Sequence, residues 1–203
     1  MKTVVPENPE SSDAPRLFPA FLKLSGRAVA LIGGGRVAVA KLPALLEAGA
    51  RVRVVAPKVR PELERPDVEV RPREFIPEDL DDVWFAVAAA SAEVNRRVAV
   101  AAEARGIFVN AVDDPASGSA YTGGVLRRFG ATIAISTEGR APALAGLLRE
   151  GLEYVIPEDL ERWLAEARAV RQQQRANGVP MNRRRPLLLA ALNRLYAEKG
   201  STT

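Results

Sequence analysis

Three groups of residues in this chain have types and spacings that could do chemistry. The first is Gly33-Gly34-Gly35-Arg36-Val37-Ala38. The apolar run Ala28–Ile32 leads into the glycines, and helical periodicity follows them. Gly33, Gly35 and Ala38 have the spacing G-x-G-x-x-A. The first glycine permits a tight turn and the second lets main chain approach a pyrophosphate. The small third residue lets a helix pack close to the strand with its amides aimed at phosphates. Residues 33–38 are therefore the expected cradle of a dinucleotide. The acidic residue that would bind its ribose is absent, because the second strand ends Val55-Ala56-Pro57-Lys58. Lys58 and Arg60 read either as surface cations or as partners of a 2′-phosphate, which keeps NADP beside NAD.

The second group centres on Asp113. It follows an apolar strand, at the end of the sheet where open α/β proteins bind ligands. It reads as a general acid–base, or with Asp114 as a turn before Pro115. The third is Ser136-Thr137-Glu138-Gly139-Arg140-Ala141-Pro142, which joins a strand to a helix start. Its hydroxyls and amides, with Arg127, Arg128, Arg140 and Arg149 nearby, suit a carboxylate ligand. The competing reading is a hydroxyl helix cap with exposed cations. Arg183-Arg184-Arg185 reads as a solvated basic run.

Composition narrows the chemistry. The 203 residues contain no Cys and no His. That excludes disulfides, thiolate nucleophiles, histidine triads and Cys or His metal sites, so acid–base work falls to Asp, Glu, Lys or Tyr. No protein-held metal is expected. The net charge of +4 suits a polyanionic ligand or a merely solvated surface. Residues 1–16 read as a polar, disordered leader rather than a signal peptide. No apolar run is long enough to span a bilayer. The expectation is a cytoplasmic protein that binds neither membrane nor nucleic acid.

Strands and helices must position these groups. The pattern predicts strands at Ala28–Ile32, Val52–Ala56, Val68–Val70, Val83–Ala89 and Ile107–Val112. Helices are predicted after Gly35, ending at Gly49, and over Asn95–Arg105. Pro43 falls inside the first helix. Asp113–Gly124 reads as a loop and Thr132–Ser136 as a further strand. A helix from Pro142 carries an apolar face of Leu144, Leu147, Leu148 and Leu152. Helices follow Pro157: one has a stripe of Leu160, Trp163, Leu164 and Ala167 and stops at Asn177-Gly178, and the last opens at Pro186. The fold class is α/β: a Rossmann-type parallel sheet, a small α+β region and a helical C-terminal part. The expected domains are 17–113, 114–156 and 157–203.

With Phe18-Pro19-Ala20-Phe21-Leu22, Lys41, Leu45-Leu46-Glu47-Ala48-Gly49-Ala50, Val54-Val55-Ala56-Pro57, Val94-Asn95, Val109-Asn110-Ala111-Val112-Asp113-Asp114-Pro115, Ile135-Ser136-Thr137, Gly139, Pro142-Ala143-Leu144-Ala145 and Leu148-Arg149-Glu150, the chain resembles the siroheme synthase family. The similarity is to its dehydrogenase and chelatase part. The resemblance implies NAD-dependent oxidation of precorrin-2, a tetrapyrrole, to sirohydrochlorin by a homodimer. Some members also insert ferrous iron. The family's aspartate falls on Asp113. Pro57 and Ala89 join residues 33–38 at the cofactor, and Asn110, Ser136, Thr137 and Arg140 are assigned to substrate. With no methyltransferase part, the substrate is expected from a separate protein. The chain departs from the family at Ala88-Ala89-Ala90-Ser91-Ala92, where a threonine and acids are usual. It also departs around Ala120 and Gly123, and at Glu138 and Ala141. A non-catalytic, redox-sensing NAD module and an oxidoreductase for another anionic substrate are the alternatives.

Overall fold

The computed structural model describes residues 17–200, with side chains to residue 194. The expected leader, 1–16, lies outside the described residues. The chain forms two compact units that divide between Tyr121 and Thr122.

The first unit runs β1 (Ala28–Ile32), α1 (Arg36–Glu47), β2 (Arg51–Val55), β3 (Val68–Arg71), β4 (Phe85–Ala88), α2 (Ala92–Glu103) and β5 (Phe108–Ala111). Its five strands are parallel in the order β3-β2-β1-β4-β5. Alternation along β1 sends Val29 and Leu31 to one face and Ala30 and Ile32 to the other. On the first face, α1 buries Ala38, Leu42 and Leu45 with Leu31, Val52 and Val54. On the second, α2 buries Val98, Ala101 and Ala102 with Ile32, Ala86 and Val109. Each large apolar side chain so enclosed stabilises by about 1.5–3 kcal/mol. Pro43 sits on the exposed side of α1, where it removes a single helical hydrogen bond.

The register sets the functional edge. Ile32 lies level with Val55 and Ala88, and Ala88 with Ala111. Four strand ends therefore open onto one rim. At the sheet's β3 edge, fully buried Asp79 takes hydrogen bonds from Arg71 (2.9 Å), from Arg73 (2.6 and 2.7 Å) and from the Ile76 amide (3.0 Å).

In the second unit, β6 (Gly124–Arg128) and β7 (Ala131–Ile135) form an antiparallel hairpin. Phe129 and Gly130 turn it with φ of 49° and 86°, the two-residue turn that matches strand twist. Helices α3 (Pro142–Val155), α4 (Leu160–Ala176) and α5 (Met181–Gly200) follow. Leu160, Trp163, Leu164 and Ala167 are all half-buried on α4. The carbonyl of Ala145 lies 2.8 Å from where a Cβ on Gly124 would stand, so α3 sits hard against β6.

Sequence pattern missed β6 outright. Gly124 falls at the end of the expected loop, the pattern assigns Val125–Arg128 to no element, and only Leu126 of the strand is buried. The last helix begins at Met181 rather than at Pro186. Pro186 is inside it and forgoes one bond, to the Asn182 carbonyl. β4 starts at Phe85 rather than Val83, because Val83 closes a turn onto Leu80. α2 starts at Ala92 rather than Asn95, capped by Ser91. Among the described residues, no helix is long and apolar enough to cross a membrane.

Candidate active site

The glycine loop is built from contacts that only glycines allow. Gly33 has φ +134°, and a Cβ there would stand 2.2 Å from the Ala89 carbonyl oxygen. Its amide donates to Val55 (2.9 Å), which ties the turn to β2. A Cβ on Gly34 would meet the Lys58 carbonyl oxygen at 2.0 Å. The Arg60 amide donates back to the Gly34 carbonyl at 3.0 Å. Gly35 differs, because a Cβ there would meet no protein atom within 4 Å. Space is thus kept clear at the one glycine expected to face pyrophosphate. Gly35 caps α1 without a side chain, and Arg36, Val37 and Ala38 head the helix with amides that have no intrahelical acceptor. Ala38 is fully buried, as close helix–strand packing requires. Pro57 and Ala89 flank the loop from β2 and β4. Together these residues fit a dinucleotide phosphate.

The rim beside the loop is fixed by a residue that sequence reasoning noted only as a matching position. Buried Asn95 accepts from the Ala90 amide (3.0 Å) and donates to the Val112 carbonyl (3.3 Å). It clamps the ends of β4 and β5 together, and the Val112 amide donates to Ala88 (2.9 Å). The available signal was a polar residue on the buried stripe of α2, four positions after a serine cap.

Asp113 comes next along the chain. It is exposed, has φ +60°, and makes no hydrogen bond or ion pair among the described residues. Asp114 does the turn-forming work: its carboxylate accepts from the Ser117 amide (3.3 Å) and hydroxyl (2.7 Å). The two readings of this acidic pair thus separate onto two residues. Left-handed backbone alone does not mark a site. Asp82 shares φ +60° and has no such partner either, but it precedes β4, at the opposite end of the strands. Asn110 is buried, and its amide donates to the Ala120 carbonyl (3.0 Å), drawing loop 112–121 over β5. The Ser119 hydroxyl accepts from the Val109 amide at 2.9 Å, in the same wrap.

The third group lies in the second unit. Ser136 accepts from the Glu138 amide (3.1 Å) and Thr137 from the Ala141 amide (3.3 Å). Their hydroxyl hydrogens stay available to donate. Ala141, the N-cap of α3, has no capping side chain of its own, and the Thr137 hydroxyl bonds its amide instead, so a capping role accounts for Thr137, while Ser136 bonds within the loop. Arg140 is exposed and pairs with Glu138 at 3.5 Å. Arg149 is held by Glu153 and Glu150, and Arg128 donates to the Glu153 carbonyl (3.0 Å).

A parallel sheet ordered 3-2-1-4-5, with a glycine loop between β1 and α1 at its carboxyl rim, defines a Rossmann-type dinucleotide-binding protein. The chain belongs to an NAD(P)-binding family: the model described as "Putative NAD(P)-binding" matches residues 20–124. It is 40% identical over 173 residues to siroheme synthase 3 of Aeromonas hydrophila, covering 83% of this chain and 37% of that protein. It is 45% identical over 145 residues to the siroheme synthase of Chromobacterium violaceum, covering 69% of this chain and 31% of that one. The chain therefore spans about a third of the length of these curated relatives. Among solved structures it is similar to SirC, a precorrin-2 dehydrogenase. That match has a TM-score of 0.67 and 27% identity, and covers 86% of this chain and 88% of the other.

Proposed function

We propose that this chain is a precorrin-2 dehydrogenase that uses NAD to form sirohydrochlorin. The observation that carries the proposal is Asp113: an unpartnered carboxylate on the rim that Asn95 fixes beside the glycine loop. NAD, when bound by residues 33–38, would supply the acceptor for the substrate's hydride. The oxidation also releases a proton, and Asp113 is the base that takes it and passes it to water. Residues 33–38 hold the pyrophosphate, with Pro57 and Ala89 beside it. Asn110, Ser136, Thr137 and Arg140 are assigned to the substrate, whose carboxylates hydroxyl donors and a guanidinium suit. The working form is a cytoplasmic homodimer. The support for a dimer is the helix α3 face, where Leu144, Leu147 and Leu148 are all exposed. Residues 17–113 bind the cofactor, 114–156 dimerise, and 157–203 form the helical part.

Anaerobic incubation with precorrin-2 and NAD tests the proposal: NADH and sirohydrochlorin absorbance should rise together. NAD binding without NADH formation would overturn it in favour of a sensing module. The same mixture with ferrous ion added decides whether metal insertion belongs to this chain. Sedimentation at micromolar concentration should give twice the 21.9 kDa chain mass, and a monomer throughout would refute the dimer.

A further inference from the structure

The rim of β2 bears on which dinucleotide the site takes. Sites selective for NAD place a carboxylate there, which bonds the ribose diol and repels a 2′-phosphate. Here the strand runs out through Ala56 and Pro57 to Lys58. The position of Lys58 is not loose: its carbonyl lies against Gly34, and the next-but-one amide, Arg60, bonds the same glycine. The Lys58 main chain is therefore held at the glycine loop, and its exposed side chain ends in an ammonium with no hydrogen bond or ion pair among the described residues. The neighbouring charges are largely spent on one another. Arg60 is held by Glu62 (2.8 and 3.2 Å), and Arg65 by Asp67 (2.9 and 3.1 Å). A crevice lined by Pro57, Val59, Pro66 and Val70 with Glu64 and Arg65 begins at the residues on either side of Lys58, and Glu64 has no side-chain partner among the described residues.

We infer that the site accepts a 2′-phosphorylated dinucleotide as well as NAD, with Lys58 as the residue that holds the 2′-phosphate. This rests on the dinucleotide reading above and not on the identity of the tetrapyrrole. Lys58 supplies a point charge and rotatable donors where a carboxylate would have excluded the phosphate. A phosphate entering the crevice would meet the Glu64 carboxylate, which disfavours it, so the two residues set the preference between the cofactors.

Titration calorimetry on the whole protein, without tetrapyrrole, tests the inference. NADP should bind within about tenfold of NAD. Lys58→Ala should weaken NADP about tenfold, the scale of one charge-assisted hydrogen bond, and leave NAD within about twofold. Lys58→Asp should abolish NADP binding and keep NAD. Glu64→Gln should tighten NADP alone. The NADP constant should rise more steeply with salt than the NAD constant. If NADP fails to bind a protein that binds NAD, or if Lys58→Ala weakens both cofactors equally, the inference is wrong. Binding of neither would overturn the dinucleotide reading as well.

Discussion

Buried polar groups in the first unit have partners: Asp79 holds two arginines, Asn95 bridges two strand ends and Asn110 pins a loop. Its apolar side chains fill both faces of the sheet. In the second unit only Leu126, Ala145 and Ala191 are buried among the described apolar side chains. Among the described residues Arg168, Arg171, Arg175, Arg183 and Arg185 carry no ion pair, and a two-stranded hairpin is marginal by itself. An unpaired group therefore means different things in the two places. In the second unit it is ordinary. On the clamped rim of the first, Asp113 stands bare beside a neighbour, Asp114, whose oxygens are both engaged.

The sharpest way to break this contrast is to remove the bare carboxylate. Asp113→Ala should slow oxidation by about 10²–10⁴-fold, the usual contribution of one positioned acid–base group, with NAD affinity unchanged. Asp114→Ala should loosen the 114–117 turn and cost much less in rate. Steady-state kinetics with calorimetric NAD binding checks both. Equal and small effects would return Asp113 to a turn-forming role.

Next in size is the loop. Gly35→Val should weaken NAD at least about 100-fold while thermal stability holds, because its φ of −92° suits any residue and no protein atom is in the way. Gly33→Ala should damage the fold itself, since a methyl would enter the Ala89 carbonyl. Comparing melting temperature with NAD affinity for both variants separates the two glycines, and parallel losses in both would contradict the assignment.

Most of the first unit was legible in the sequence because its signals are local. Residues 28–38 carry strand, turn and helix start in one run, and Asp113 follows a buried strand directly. What was not legible depends on contacts distant in sequence. Nothing local says that Gly34 must lack a side chain because Lys58 packs on it, or that Asn95 reaches Val112. In the second unit the pattern faltered at β6, where alternation is short and one face is open. It faltered again at Pro186, since a proline can sit inside a helix that begins earlier.

A smaller effect should come from Asp79. Burial alone would raise its pKa, but hydrogen bonds from Arg73, the Ile76 amide and Arg71 outweigh that and hold it below the ordinary 3.8. A carboxylate lowered in the folded state adds stability above its unfolded pKa and loses it as pH falls through the folded value. The protein should therefore hold this contribution at neutral pH and lose it below about pH 4. Asp79→Asn should cost about 1–3 kcal/mol at pH 7, and the penalty should shrink below pH 4. Urea melts at both values decide it. A pH-independent penalty would mean that shape, not charge, matters there.

The smallest effect belongs to the second unit and runs the other way. Glu138 holds φ +55°, a conformation that costs a residue with a Cβ about 1 kcal/mol or more and costs glycine little. Its compensation is slight: a 3.5 Å pair with the exposed Arg140, worth little in water. Glu138→Gly relieves the strain but also loosens the unfolded chain, and these terms partly offset. The net expectation is a gain of about 0.5 kcal/mol, read as a rise of a few degrees in melting temperature. The same change frees Arg140, so if that guanidinium serves the substrate, KM should fall while kcat stays put. A loss of stability would show that the Glu138–Arg140 pair, and not the loop's backbone, holds the start of α3 in place.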